Sequence, residues 1–109
     1  MKAMVHPGVC GFSTSIIATS GDSQHVDFKI ESDCENIRLL ARDFPTVDGY
    51  QEISDGFEGL LHRRVRQTLR GCCSGCIVVS GLFKTMQVAA GLALPVDAAI
   101  QFERDGGER

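Results

Sequence analysis

The chain has 109 residues, 43% hydrophobic and 23% charged, with a formal net charge of -3 and five cysteines. That size and balance fit one soluble globular domain that buries its own core, and they exclude a disordered or fibrous chain. Net acidity argues against general attraction to nucleic acid, and no apolar run approaches the roughly 18 to 20 residues needed to span a bilayer.

In chain order, the opening MKAMVHPGVCGF has no apolar stretch before its Pro and Gly, so it reads neither as a secretory signal nor as a lipoprotein site at Cys10. A cytoplasmic location follows as the expectation, and thiols stay reduced there. The next segment, FSTSIIAT, puts Phe12, Thr14, Ile16 and Ala18 on one face, and its β-branched content predicts a strand. HVDFKIE alternates strictly, with Val26, Phe28 and Ile30 facing one way. The turn composition SGDSQ between them predicts a β-hairpin with one buried face.

Ser32 and Glu35 have the spacing of a capping box, and Ile37, Leu40, Ala41 and Phe44 continue as a helical face that Pro45 ends. Residues 46–54 read as a loop. Asp55 and Glu58 repeat the cap pattern ahead of Phe57, Leu60, Leu61, Val65 and Leu69, and Gly71 supplies the stop. A third helix opens at Ser80 and runs through Leu82, Phe83, Met86, Ala89 and Ala90 to Gly91. VDAAIQF, residues 96–102, alternates again and predicts a last strand with Val96, Ala98, Ile100 and Phe102 inward. Order β-β-α-α-α-β points to an α+β two-layer sandwich, a small, mainly antiparallel sheet with helices on one face. One domain covers residues 1–109, with an ordered core over 5–103 and a frayed tail at 104–109.

The chemistry is concentrated in GCCSGC, residues 71–76, where Cys73 and Cys76 form a C-x2-C knuckle with a glycine between them. That spacing lets two sulfurs turn toward one ion. Opposed residues of an antiparallel pair share a face, and pairing Ala18 with Val26, Ile16 with Phe28 and Thr14 with Ile30 satisfies this rule. Extended further, the same register sets Phe12 against Ser32 and Cys10 against Cys34, with α-carbons roughly 4.5 to 5.5 Å apart. Cys34 also falls in the first turn of a helix, where free amides favour a thiolate. Cys10, Cys34, Cys73 and Cys76 are therefore the candidate ligands of a transition metal ion, with Cys72 as a spare.

Four thiolates suit zinc and equally suit an iron–sulfur cluster. The chain lacks both the tandem knuckles of a zinc ribbon and the cysteine run of a bacterial ferredoxin, so the sequence leaves the two open. Two other readings stand beside ligation: cysteines as small buried hydrophobes, and a Cys73/Cys76 dithiol used in redox chemistry. His6 is an alternative ligand near Cys10, whereas His25 and His62 carry no assigned role. A Cys34/His6 nucleophilic pair lacks a third, orienting residue. Arg63, Arg64, Arg66 and Arg70 line the second helix and read as a solvated face, with a noncatalytic protein-binding surface as the alternative. Lys84 reads as exposed. No reaction signature is present, and the balance leans away from an enzyme.

The strings HPGVCGF, SDCENI, CCSGC and GLFKTMQVAAGLALPVDAAI together resemble a group of small bacterial and archaeal proteins of unknown function that share a CGF opening, a C-x2-C knuckle and a GLALP ending. The likeness runs from Val5 to Phe102. It implies a small cytoplasmic thiol-bearing domain and no established activity. The partners expected are a metal ion or cluster and a protein partner, with homo-oligomerisation open and neither membrane nor nucleic acid favoured.

Overall fold

The computed structural model describes residues 1–104; the expected frayed end beyond Arg104 lies outside the described residues. Four antiparallel strands follow one another in space as in sequence: β1 (Lys2–Val5), β2 (Thr14–Thr19), β3 (His25–Ser32) and β4 (Val47–Asp48). Four helices accompany them: α1 (Glu35–Ala41), α2 (Gly49–Asp55), α3 (Leu60–Thr68) and α4 (Val78–Ala89), with single 3-10 turns at Gly56–Glu58 and Gly71–Gly75. This is the expected α+β sandwich. Alternation places Thr14, Ile16 and Ala18 of β2 and Val26 of β3 in the interior, while His25, Asp27, Lys29 and Glu31 face water.

The hairpin forms, but its register is slipped by two residues from the sequence expectation. Ala18 pairs with Phe28, Ile16 with Ile30 and Thr14 with Ser32. Both registers keep the same residues on the same face, because the side-chain period is two, so the apolar pattern cannot separate them. The turn decides. Asp22 Oδ1 accepts the backbone N–H groups of Gln24 and His25, its Oδ2 lies 2.7 Å from His25 Nδ1, and Ser20 to Gln24 become the loop. Pairing stops at Thr14 and Ser32, so Cys10 and Cys34 are not ladder partners as expected.

Two further differences have plain causes. The segment expected to be a loop holds β4 and α2, because the Asp48 carboxylate accepts the amides of Tyr50 and Gln51 and so starts a helix at once. Gly56, at φ 59, then ends α2, and the chain restarts as α3 at Leu60 instead of running on from Asp55. The expected last strand does not pair. Residues 94–104 have no regular structure, and Val96, Ile100 and Phe102 are 76%, 66% and 94% exposed. The sheet is flanked instead by β1, four residues long, and β4, two residues long, both too short to show a period.

Beneath the helices the core gathers Ile16, Ala18, Val26, Ile37, Leu40, Val47, Leu61, Val78, Leu82 and Met86. α4 lies directly on β1 and β2, and a Cβ at Gly81 would stand 2.6 Å from Val5 Cγ2, so only glycine allows that approach. At its far end α4 closes in a Schellman motif: Gly91, at φ 75, sends its N–H to Val88 O while Leu92 bonds Gln87 O. Ala90 and Leu92 pack against Gly49, so the chain leaves α4 beside β4.

A candidate thiol centre

Cys34 occupies the position just before α1 in an extended conformation and makes no side-chain hydrogen bond to the helix. The Ser32 hydroxyl takes the Cys34 N–H instead, at 3.1 Å, and Arg38 reaches back to Ser32 O. The capping box expected from Ser32 and Glu35 does not form, and the cap position falls two residues later, on Cys34. This puts a thiol where a hydroxyl or carboxylate usually stands.

The knuckle arrives from the other side. After α3 the chain passes Leu69, which is buried, and Gly71 at φ 61, then winds into the 3-10 turn in which Cys73 N bonds Arg70 O and Cys76 N bonds Cys73 O. That turn directs Cys73 and Cys76 toward the core, where both are half-buried, while Cys72 is exposed. Asn36, in the first turn of α1, donates from Nδ2 to Cys73 Sγ at 3.2 Å. This contact fastens the knuckle to the helix that Cys34 precedes. Cys34 is likewise half-buried against the core.

Cys10 comes from the loop between β1 and β2, closed by a Gly11 N–H to Gly8 O bond of 3.0 Å, and it is exposed. His6, the alternative ligand, is bonded through Nδ1 to Ser13 Oγ at 2.9 Å. Burial raises the Cys76 thiol above its ordinary range, the Val78 N–H opposes this, and Cys10, Cys73 and Cys34 each add to the rise. All five cysteines are free. Among the described residues, no three of His, Cys, Asp and Glu stand in ready-made coordinating positions.

Spacing and pattern marked the four sulfurs. They did not mark Asn36, which only its neighbour Cys34 could have suggested, nor a second region on the opposite flank of α3. There Phe57, His62 and Phe83 stack with ring centroids 4.9 and 5.2 Å apart, in a shallow cleft that Lys84 and Ser80 also line. Burial pushes the His62 imidazole below its usual range, against the opposing pull of Glu52. The arginines of α3 are largely engaged with the chain itself. Arg63 meets Glu58 O, Arg64 meets Arg42 O, and Arg66 meets Phe57 O and the Glu58 carboxylate.

No helix among the described residues is long and apolar enough to cross a membrane. Comparison with curated proteins and with solved structures finds no match. Residues 1–102 match a family of unknown function, DUF6951, and the chain belongs to it.

Proposed function

We propose that this member of the family is a cytoplasmic metalloprotein that holds a transition metal ion or an iron–sulfur cluster through Cys10, Cys34, Cys73 and Cys76, and serves metal handling or electron transfer with a protein partner. One observation carries the reading: the Asn36 contact to Cys73, which seats the C-x2-C knuckle against the start of α1 where Cys34 stands. Cys34, Cys73 and Cys76 are each half-buried against the same core, and Cys10 stands exposed on its loop. The donor set is all sulfur and suits zinc or iron–sulfur chemistry. Binding would draw the thiols inward, and the glycine-bearing turns at Gly8–Gly11 and Gly71–Gly75 supply the backbone freedom for it.

The second reading is a dithiol pair, with Cys73 and Cys76 cycling between thiols and a disulfide. Redox-active cysteines are usually activated by a nearby cation or a helix N-terminus that lowers the thiol pKa. Cys76 is shifted the other way, which counts against an activated dithiol.

The test is anaerobic purification followed by iron, zinc and sulfide analysis per chain and a visible spectrum. Expected is one ion or cluster per chain, lost on Cys34→Ser and kept on Cys72→Ser. Iron with sulfide and absorption near about 400 nm identifies a cluster, whereas colourless zinc identifies a single-ion site. Metal-free protein with all thiols titratable would overturn ligation, and a reversible Cys73–Cys76 disulfide in that protein would establish the dithiol reading.

A further inference from the structure

Residues 96–102 alternate as a strand does, yet Val96, Ile100 and Phe102 lie bare to solvent, as does Leu94 at 80%. The family match extends through Phe102, so the segment belongs to the shared unit. A strand-patterned segment of this kind needs a ladder partner. The sheet offers two outer strands, β1 and β4.

β4 is a poor acceptor, being two residues long and running straight into α2. Beyond Val26, the outer side of β3 is flanked by α1, and Arg38 and Thr46 bond to Ser32 O and Asp27 there. β1 differs. Met1 and Ala18 exchange both backbone bonds, at 2.9 and 2.8 Å, which makes theirs a hydrogen-bonded pair. Alternation along the ladder then makes Ala3–Ile16 and Val5–Thr14 hydrogen-bonded pairs as well, while the N–H and C=O groups of Lys2 and Met4 point away from β2. Those groups form an open edge able to receive another strand.

The chain's own tail starts on the wrong side for this edge. It leaves α4 where Leu92 packs 3.7 Å from the Cβ position of Gly49, beside β4, and β1 lies at the opposite margin of the sheet. Three strand spacings separate the two margins, about 14 Å. With α4 covering β1 and β2 on the inner face, the route is obstructed as well as long.

We propose that residues 96–102 add as a fifth strand to β1 of a second copy of this chain, and that a reciprocal exchange closes a two-fold dimer. In this arrangement Val96, Ala98, Ile100 and Phe102 share the inner face with Ala3 and Val5, since opposed residues face the same way. Asp97 then shares the outer face with Lys2, of opposite charge. Two equivalent exchanges leave neither copy with an unfilled edge at β1, so assembly stops at the dimer.

The test uses the full chain and measures mass in solution by light scattering from low micromolar to millimolar concentration. Wild type is expected at twice the chain mass. Met4→Pro removes an amide that makes no bond within the chain, at a position whose backbone is already extended, so it blocks the edge without breaking the β1–β2 ladder. Ile100→Lys with Phe102→Lys alters only exposed side chains. Both variants are expected at half the wild-type mass, with unchanged far-ultraviolet circular dichroism. Wild type at single-chain mass throughout the range would overturn the exchange. A Met4→Pro protein that stays dimeric would overturn the choice of β1.

Discussion

At the α2–α3 junction a buried carboxylate takes two amide protons, whereas at the start of α1 the capping position holds a cysteine that takes none. Glu52 is 2% exposed, and its two oxygens accept from Leu60 and Leu61 at 3.1 and 2.6 Å. Gly59 permits the approach, since a Cβ there would stand 3.0 Å from Glu52 Oε1. The charge is thereby placed against the positive end of α3, and the arrangement is complete. At α1 the corresponding position gives up its capping bond, and the thiol packs half-buried against the core. Stability has been perfected in one place and forgone in the other, at the position proposed for metal ligation.

The sharpest way to break this contrast is Glu52→Ala. Loss of a buried charge-assisted cap leaves two amides unpaired and is expected to cost about 3 kcal/mol in urea unfolding. A loss below about 1 kcal/mol would mean that water or a neighbour replaces the carboxylate, and the junction would not be the completed end. Asp48→Ala removes the exposed cap of α2 and is expected to cost about 1 kcal/mol.

Cys34→Ser runs the opposite way. In metal-free protein a hydroxyl at that position can accept an amide of α1, so stability is expected to rise by about 0.5 kcal/mol in the same unfolding experiment. A clear loss instead would show that the thiol is held there by packing alone. The smallest effect concerns the exposed Asp22–His25 pair. The Asp22 hydrogen bond raises the His25 pKa, so its contribution is fully present below the unfolded value near 6.5 and fades as pH rises through the folded value. Titration of the His25 ring by NMR is expected to show a lower pKa in Asp22→Asn than in wild type; equal values would remove the turn from the charge balance.

These residues also mark how far the sequence could be read. The faces of β2, β3 and α1, and α4 with its glycine stop, follow from period and stop signal, because each is local; the ends of α1 do not, since its cap falls on Cys34 and it stops at Ala41. The two-residue slip was invisible, since it depends on which amides the Asp22 carboxylate collects. α2 was hidden because Asp48 acts alone, without an apolar run to announce its helix. The alternation at 96–102 was legible as strand pattern, but a pattern does not name its partner, and within this chain there is none among the described residues. Of the proposed thiol centre, spacing pointed to Cys73 and Cys76. The register argument for Cys10 opposite Cys34 failed, and the approach of the knuckle to α1 rests on Asn36, a tertiary contact between residues 37 positions apart.

The sheet order β1-β2-β3-β4 has a kinetic consequence. Each strand pairs with the next in the chain, so the β1–β2 and β2–β3 ladders close short loops and only the two-residue β4 pairs across a helix. Folding in milliseconds is expected by stopped-flow fluorescence of an engineered tryptophan. The hairpin that orients Cys34 and the helix that follows it are local structures and form early. The knuckle is expected to dock after them, because its contact with Asn36 spans 37 positions.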